Sequence, residues 1–257
     1  MHFVADDEYR ENFDVQTLYE DQAQVPTDLE QGSFLECVVP GAHADVGGGY
    51  GAGREHGRSG NKLSRIYLHR MHKEAIASGV PFLPLSDLRI AKNQRHWAIE
   101  PEVEKLYEKL MNYYNDKPGL HRAHKVLKEW KRGKEYADYH LKELIKQLRY
   151  SKHKHVIRDR IEKQQEKINR CIQHINTQLR VVEDYFGSPQ EMADFVQTHR
   201  QLYNSHIHHS HSPINHTIGM GPQEHDDGLL RREVFYKPVV DWKKDIDSEY
   251  EAEKFDD

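Results

Sequence analysis

The spacing of apolar residues changes character twice along the chain. Near the start, Phe34-Leu35-Glu36-Cys37-Val38-Val39 is a short, β-prone apolar run stopped by Pro40-Gly41. It predicts a buried strand that empties into a glycine loop, His43-Ala44-Asp45-Val46-Gly47-Gly48-Gly49-Tyr50-Gly51. Asn61 can cap a following helix whose apolar side is Leu63, Tyr67, Leu68, Met71 and Ala75, with Gly79 and Pro81 marking its end. Strand, glycine loop and helix make an α/β unit. Ahead of it, Asp6 to Phe13 predicts a short helix or turn.

From about Glu102 the texture becomes long, helical and rich in Lys, Arg, Glu and Gln. Ile161, Ile168, Ile172, Ile175, Leu179 and Val182 follow a heptad seam. Leu141, Leu144, Ile145 and Leu148 supply an opposing face, and a break around Tyr150 to Lys154 turns the two into an antiparallel helical hairpin. Cys171 lies beside the seam as a small packed residue. A new helix starts at Ser188 and runs to about Tyr203. A histidine-rich loop (His206, His208, His209, His211, His216) and a strand-like Glu233-Val234-Phe235-Tyr236 follow. The expected domains are 1–94, a helical region 95–185, a return to the first domain over 186–240, and an acidic tail 241–257.

Composition sharpens this picture. The 257 residues are 37% hydrophobic and 31% charged, with a mean hydropathy of -0.92, so part of the chain is a charge-covered structure rather than core. No run of 18 apolar residues occurs and the N-terminus is acidic, which argues against a membrane-spanning or Sec-secreted chain. Two cysteines, Cys37 and Cys171, are too few for a disulfide framework or a four-sulfur zinc site, and a reducing cytoplasm fits. The net charge of -5 conceals a segregation: residues 121–180 carry +10 and the remainder -15.

The sharpest candidate chemistry is Pro40-Gly41-Ala42-His43-Ala44-Asp45-Val46-Gly47-Gly48-Gly49-Tyr50. A histidine just beyond a strand's C-terminal end lies where α/β folds place reacting groups. As a general base, His43 needs an acid to orient it and a nucleophile within reach. Asp45 points to the same side if the strand continues, or else bonds the turn's amides. The glycines Gly47, Gly48 and Gly49, with Tyr50, allow close approach of a backbone or ligand. They do not form a phosphate loop, because no Lys/Ser/Thr follows. A tight turn with an exposed histidine is the plainer alternative.

This string, with Asp7-Glu8-x-Arg10-x-x-Phe13 about 35 positions before it and an amphipathic helix after it, resembles the catalytic domain of the type VI secretion lipase effectors, the first-described phospholipase class. The resemblance is good over Ala5 to Val80. It is weaker over Tyr203 to Tyr236, where His208-His209-Ser210-His211 is similar to the family's His-Asp-Ser segment. It implies an α/β fold, a partial α/β-hydrolase-like domain with a long all-helical insertion. It also implies a Ser-Asp-His triad acting on phospholipid esters, with no cofactor and no metal. His43 is carried over as general base, with Asp45 in support and His209 or His211 as fallback. The nucleophile elbow Gly-x-Ser-x-Gly is absent; Gly57-Arg58-Ser59-Gly60-Asn61 is the nearest string and lacks the final glycine. In the family, the elbow and the triad Asp precede the Asp-Glu-x-Arg segment. The expectation is therefore the C-terminal product of a split or truncated gene, inactive alone, whose partners include the missing N-terminal half and a secretion-apparatus or immunity protein. The resemblance further implies a bacterial protein, cytoplasmic in its producer and exported by type VI secretion without a cleaved signal.

Two other readings stand beside it. His206, His208, His209 and His211 carry the residue type that binds zinc, nickel or copper, but no cysteine or nearby paired carboxylate completes the set. Lys152, Lys154, Arg158 and Arg160, interleaved with His153 and His155, form a basic cluster. It suits anionic lipid headgroups at a phospholipid membrane surface, an acidic partner, or nucleic acid without specificity; a plain solvated hairpin is the default. No recognised nucleic-acid motif accompanies it, so no specific nucleic acid is expected.

Overall fold

The computed structural model describes residues 1–8, 18, 36–49, 54–55, 58–59, 62–85 and 97–207. Strands β1 (His2–Ala5) and β2 (Glu36–Val39) pair in parallel, with His2 opposite Glu36 and Ala5 opposite Val39. Past them, the Asp6 amide donates to Val39 O and the Asp7 amide to Gly41 O, so the ladder carries on into the loop. The short helix α1 (His43–Gly47) comes next. A two-residue pair of strands, β3 (Arg54–Glu55) and β4 (Arg58–Ser59), precedes α2 (Ser64–Ala77). Four helices complete the described chain: α3 (Pro101–Asp116), α4 (Leu120–Tyr150), α5 (Lys154–Glu183) and α6 (Pro189–His206).

The expected α/β, partial α/β-hydrolase-like fold is overturned. The described residues form a mostly helical protein with a single two-stranded parallel pair and one short hairpin. The physical reason lies in who builds the core. Tyr107, Leu110, Met111 and Tyr114 of α3, Leu120, Ala123 and Leu127 of α4, Val182 of α5 and Phe195, Leu202 and Tyr203 of α6 pack as one cluster. Of its buried residues the strands supply only Val39, with Phe3 and Cys37 packed partly buried against it, and α2 adds Ile66 and Tyr67 just after Leu63. A doubly covered sheet needs several apolar strands, whereas here the apolar area sits on helix faces. The expected strand at Glu233–Tyr236 and the acidic tail lie outside the described residues.

The long hairpin is as the heptads predict, but its seam is shifted. Ile172 faces outward, 39% exposed, and Cys171 takes its place inside, 1% exposed, against Trp130. The inward positions of α5 run Ile161, Gln164, Ile168, Cys171, Ile175, Gln178, Val182, an unbroken alternation of three and four steps. The two glutamines belong to it because each side-chain amide donates to a carbonyl of α4: Gln164 to Ala137 (3.2 Å) and Gln178 to Ala123 (3.0 Å). Both tethers obey one antiparallel register, since the donors and the acceptors are each 14 residues apart. Of the expected α4 face, Ile145 is 44% exposed. In α2 the buried stripe is Leu63, Ile66 and Tyr67, while Leu68 and Met71 face outward. The helix starting at Ser188 is as expected: its hydroxyl accepts from the Glu191 amide, and Pro189 opens the first turn.

Charge segregation acquires a structural meaning at the end of β1. Asp6 and Asp7 are fully buried, and α4 answers them with Lys125, Lys128 and Arg132, also buried. Lys125 Nζ lies 2.8 Å from Asp6, and Lys128 Nζ reaches Asp6 at 3.0 Å and Asp7 at 3.1 Å. Arg132 approaches Asp7 at 3.4 Å. The Tyr203 hydroxyl of α6 accepts from Lys128 and donates to Asp7, each at 2.8 Å. Burial alone would raise the Asp6 carboxyl, but Lys125, Lys128 and His121 outweigh it and hold it well below the usual carboxylate range. Asp7 is also lowered, burial and the Asp6 charge being outweighed by Lys128, Arg132 and the Gly41 amide.

Two histidines lie beside this cluster. His124 and His199 meet edge to face with ring centres 4.3 Å apart, and His124 Nδ1 lies 3.0 Å from the Tyr114 hydroxyl. Burial first, then the neighbouring cations, hold both well below the ordinary histidine value.

Removing the shared cation should expose the cost of this arrangement. Lys128→Ala leaves two buried carboxylates undercompensated and should destabilise the fold by about 3–5 kcal/mol in urea denaturation. Acid should act in two stages. Below about pH 6.5 the unfolded chain binds protons that folded His124 and His199, and with them the half-buried His206, resist, so stability falls as the pH drops. Below about pH 4 the unfolded forms of Asp6 and Asp7 protonate while the folded ones resist, and a further loss ensues. Urea midpoints across pH read both stages, and His199→Gln should make the upper one shallower.

Candidate functional site

Two parallel strands end side by side, and the residues just beyond their ends define the site. Three residues beyond β1 stands Glu8, fully buried; four beyond β2 stands His43, whose side chain is 46% exposed. The imidazole Nδ1 and a Glu8 carboxylate oxygen are 2.7 Å apart. With Glu8 as the carboxylate, which can only accept, Nδ1 would carry the proton and Nε2 the basic lone pair. A buried acid thus orients a half-exposed ring, which is the relation a general base needs.

The loop is built to hold this pair. Gly41, at φ +119°, turns the chain after Pro40, and a Cβ there would stand 2.9 Å from the Asp45 Cβ. Its amide donates to Asp7 Oδ2 at 2.9 Å, so the buried acid that pairs with α4 also fixes the turn before His43. The Tyr67 hydroxyl of α2 donates to Pro40 O at 2.6 Å and braces the same turn from the other side. The predicted glycine loop is therefore a helical turn. His43 is the first residue of α1 and Gly47 the last, Gly48 takes the left-handed conformation at φ +83°, and Gly49 packs against Ala44.

Of the two expected geometries for Asp45, the structure has the second. Its carboxylate is buried and accepts from the Ala42 amide at 3.0 Å, so it supports the turn. Lys152 lies in the α4–α5 turn and Lys154, Arg158 and Arg160 in the first two turns of α5, and all four are exposed. Tyr50, His209 and His211 lie outside the described residues. Among the described residues no group of three or more His, Cys, Asp or Glu side chains is placed to hold a metal, and no helix is long and apolar enough to cross a membrane.

The acid partner of His43 is not apparent from the sequence pattern. Glu8 lies 35 residues from the histidine, and no local spacing joins them. The available signal is the run Asp6-Asp7-Glu8 itself: three consecutive acids at the end of an apolar run, where burial demands partners.

A half-exposed histidine is thus held by a buried carboxylate just past the ends of two parallel strands. Residues 1–74, which contain both side chains, match the family model described as T6SS, phospholipase effector Tle1-like, catalytic domain. The family resemblance of the His43 string therefore stands over that segment. No curated protein and no solved structure matches the chain.

The dyad is testable without catalysis. Nitrogen-15 NMR of wild type should show the single Nδ1–H tautomer for His43. Glu8→Gln, whose amide can present either oxygen or NH2, should give a mixture.

Proposed function

We propose that residues 1–74 contribute a general base and its orienting acid to a phospholipase active site whose nucleophilic serine lies outside this sequence. The observation that supports this reading most directly is the 2.7 Å contact between buried Glu8 and half-exposed His43. The family match over the same residues supports a phospholipid ester as the substrate class.

In this reading the serine Oγ attacks the ester carbonyl while His43 Nε2 takes its proton, and Glu8 steadies the imidazolium so formed. The tetrahedral intermediate collapses, the ester C–O bond breaks, and the histidine returns the proton to the leaving alcohol. Water then repeats the sequence on the acyl-enzyme, with His43 again removing a proton and releasing the fatty acid. Asp45 takes no proton; it holds the turn that aims the ring. Export through type VI secretion belongs to the same reading.

The chain alone should show no ester turnover. Mixing it with a separately expressed polypeptide that carries Gly-x-Ser-x-Gly from the same family should restore hydrolysis of a phospholipid substrate. His43→Ala should lower the restored rate by about 100- to 10,000-fold, and Glu8→Gln should lower kcat rather than raise KM. Restored turnover that is indifferent to His43→Ala would sink the proposal.

A further inference from the structure

The hairpin outgrows the core that it helps to build. Every buried residue of α4 lies between Leu120 and Ala137. The remaining 13 residues to Tyr150 extend about 20 Å further. Around the turn that joins α4 to α5, Arg149, Lys152, Lys154, Arg158 and Arg160 are all exposed, against a single acid, Asp159, a net of +4 within 12 residues. Among the described residues none of these five cations enters an ion pair, whereas Lys134 and Lys146, further back on the same helix, are paired with Asp138 and Glu143.

Three apolar residues at this end are exposed as well, while Ile157 is buried. Tyr150 is 87% exposed at the apex, Val156 40% and Ile145 44%. A tyrosine with its ring in water amid cations is the residue type that settles at a membrane–water interface, where an apolar body meets a polar boundary. Behind the apex the sign changes. A shallow groove of about 430 Å³ between α4 and α5 is lined by Leu148, Ile161, Glu162 and Glu166, and only Arg158 adds positive charge to it. The basic surface is therefore a cap on the end of a rod. A nucleic acid lying along the hairpin would meet carboxylates within two turns, while a flat anionic surface meets only the cap.

We propose that the α4–α5 turn docks end-on to a bilayer of anionic phospholipid, with Lys152, Lys154 and Arg158 among the headgroups and Tyr150 at the interface. This does not depend on the catalytic reading, because docking requires neither His43 nor a serine. Each cation brought to such a surface contributes about a fivefold gain in partitioning, and screening by salt should weaken all of it together.

The full chain should therefore cosediment with vesicles of phosphatidylglycerol and phosphatidylethanolamine at low salt, not with phosphatidylcholine vesicles, and be released by salt. Lys152→Ala with Lys154→Ala should reduce binding about 25-fold, and Tyr150→Ala should reduce it less, with helicity by circular dichroism unchanged in both. Lys163→Ala with Arg170→Ala, the same loss of charge on the shaft, should leave it within about twofold. Equal binding to phosphatidylcholine, indifference to the double tip variant, or full displacement from the vesicles by a short DNA duplex would overturn the proposal. Vesicle binding without esterase recovery in the two-polypeptide mixture would count against the catalytic reading alone.

Discussion

Two adjacent aspartates at the end of a four-residue strand hold this molecule together. Asp6 and Asp7 are withdrawn from water, and three cations from one helix face plus a tyrosine from another are withdrawn with them. Desolvating so many charges is costly, and hydrophobic residues of equal volume could do as well for stability alone. What the ions add is position. Asp7 offers one carboxylate oxygen to Lys128 and Arg132 and the other to Tyr203 and the Gly41 amide, so a single side chain ties α4 and α6 to the turn that presents His43. The next residue along is Glu8, which meets the histidine itself. The electrostatic anchor and the candidate site are consecutive residues of one strand end.

This also accounts for part of the charge separation along the chain. The surplus of cations over residues 121–180 suggests a solvated basic hairpin, yet Lys125, Lys128 and Arg132 turn inward to neutralise acids more than a hundred residues away. The rest of the surplus stays outside and concentrates at the far turn. One helix thus serves two electrostatic ends, with core neutralisation near its start and an uncompensated cap near its finish.

The features legible in the sequence are those set by local rules. The hairpin, its break near Tyr150, and the helix capped by Ser188 follow from periodicity and capping, which need no knowledge of the partner. Isoleucine alone misphases the inward face of α5, because Cys171 and two glutamines fill positions that only the facing residues of α4 explain. The fold class is illegible for a related reason. A strand, a glycine loop and a helix are visible around His43, but whether more strands join them is a property of the whole chain, and here the apolar area goes to helices. The histidine can be picked out from its place after a strand. Its partner cannot, since only parallel pairing brings Glu8 and His43 together.

The paired glutamine tethers have a mechanical consequence. Sliding one hairpin helix along the other by a heptad would preserve the apolar spacing yet strip both glutamine amides of their acceptors at once, which singles out one register. The two tethers span α4 from Ala123 to Ala137, the same stretch that carries Lys125, Lys128 and Arg132, so the register of the hairpin fixes where these cations meet the buried aspartates.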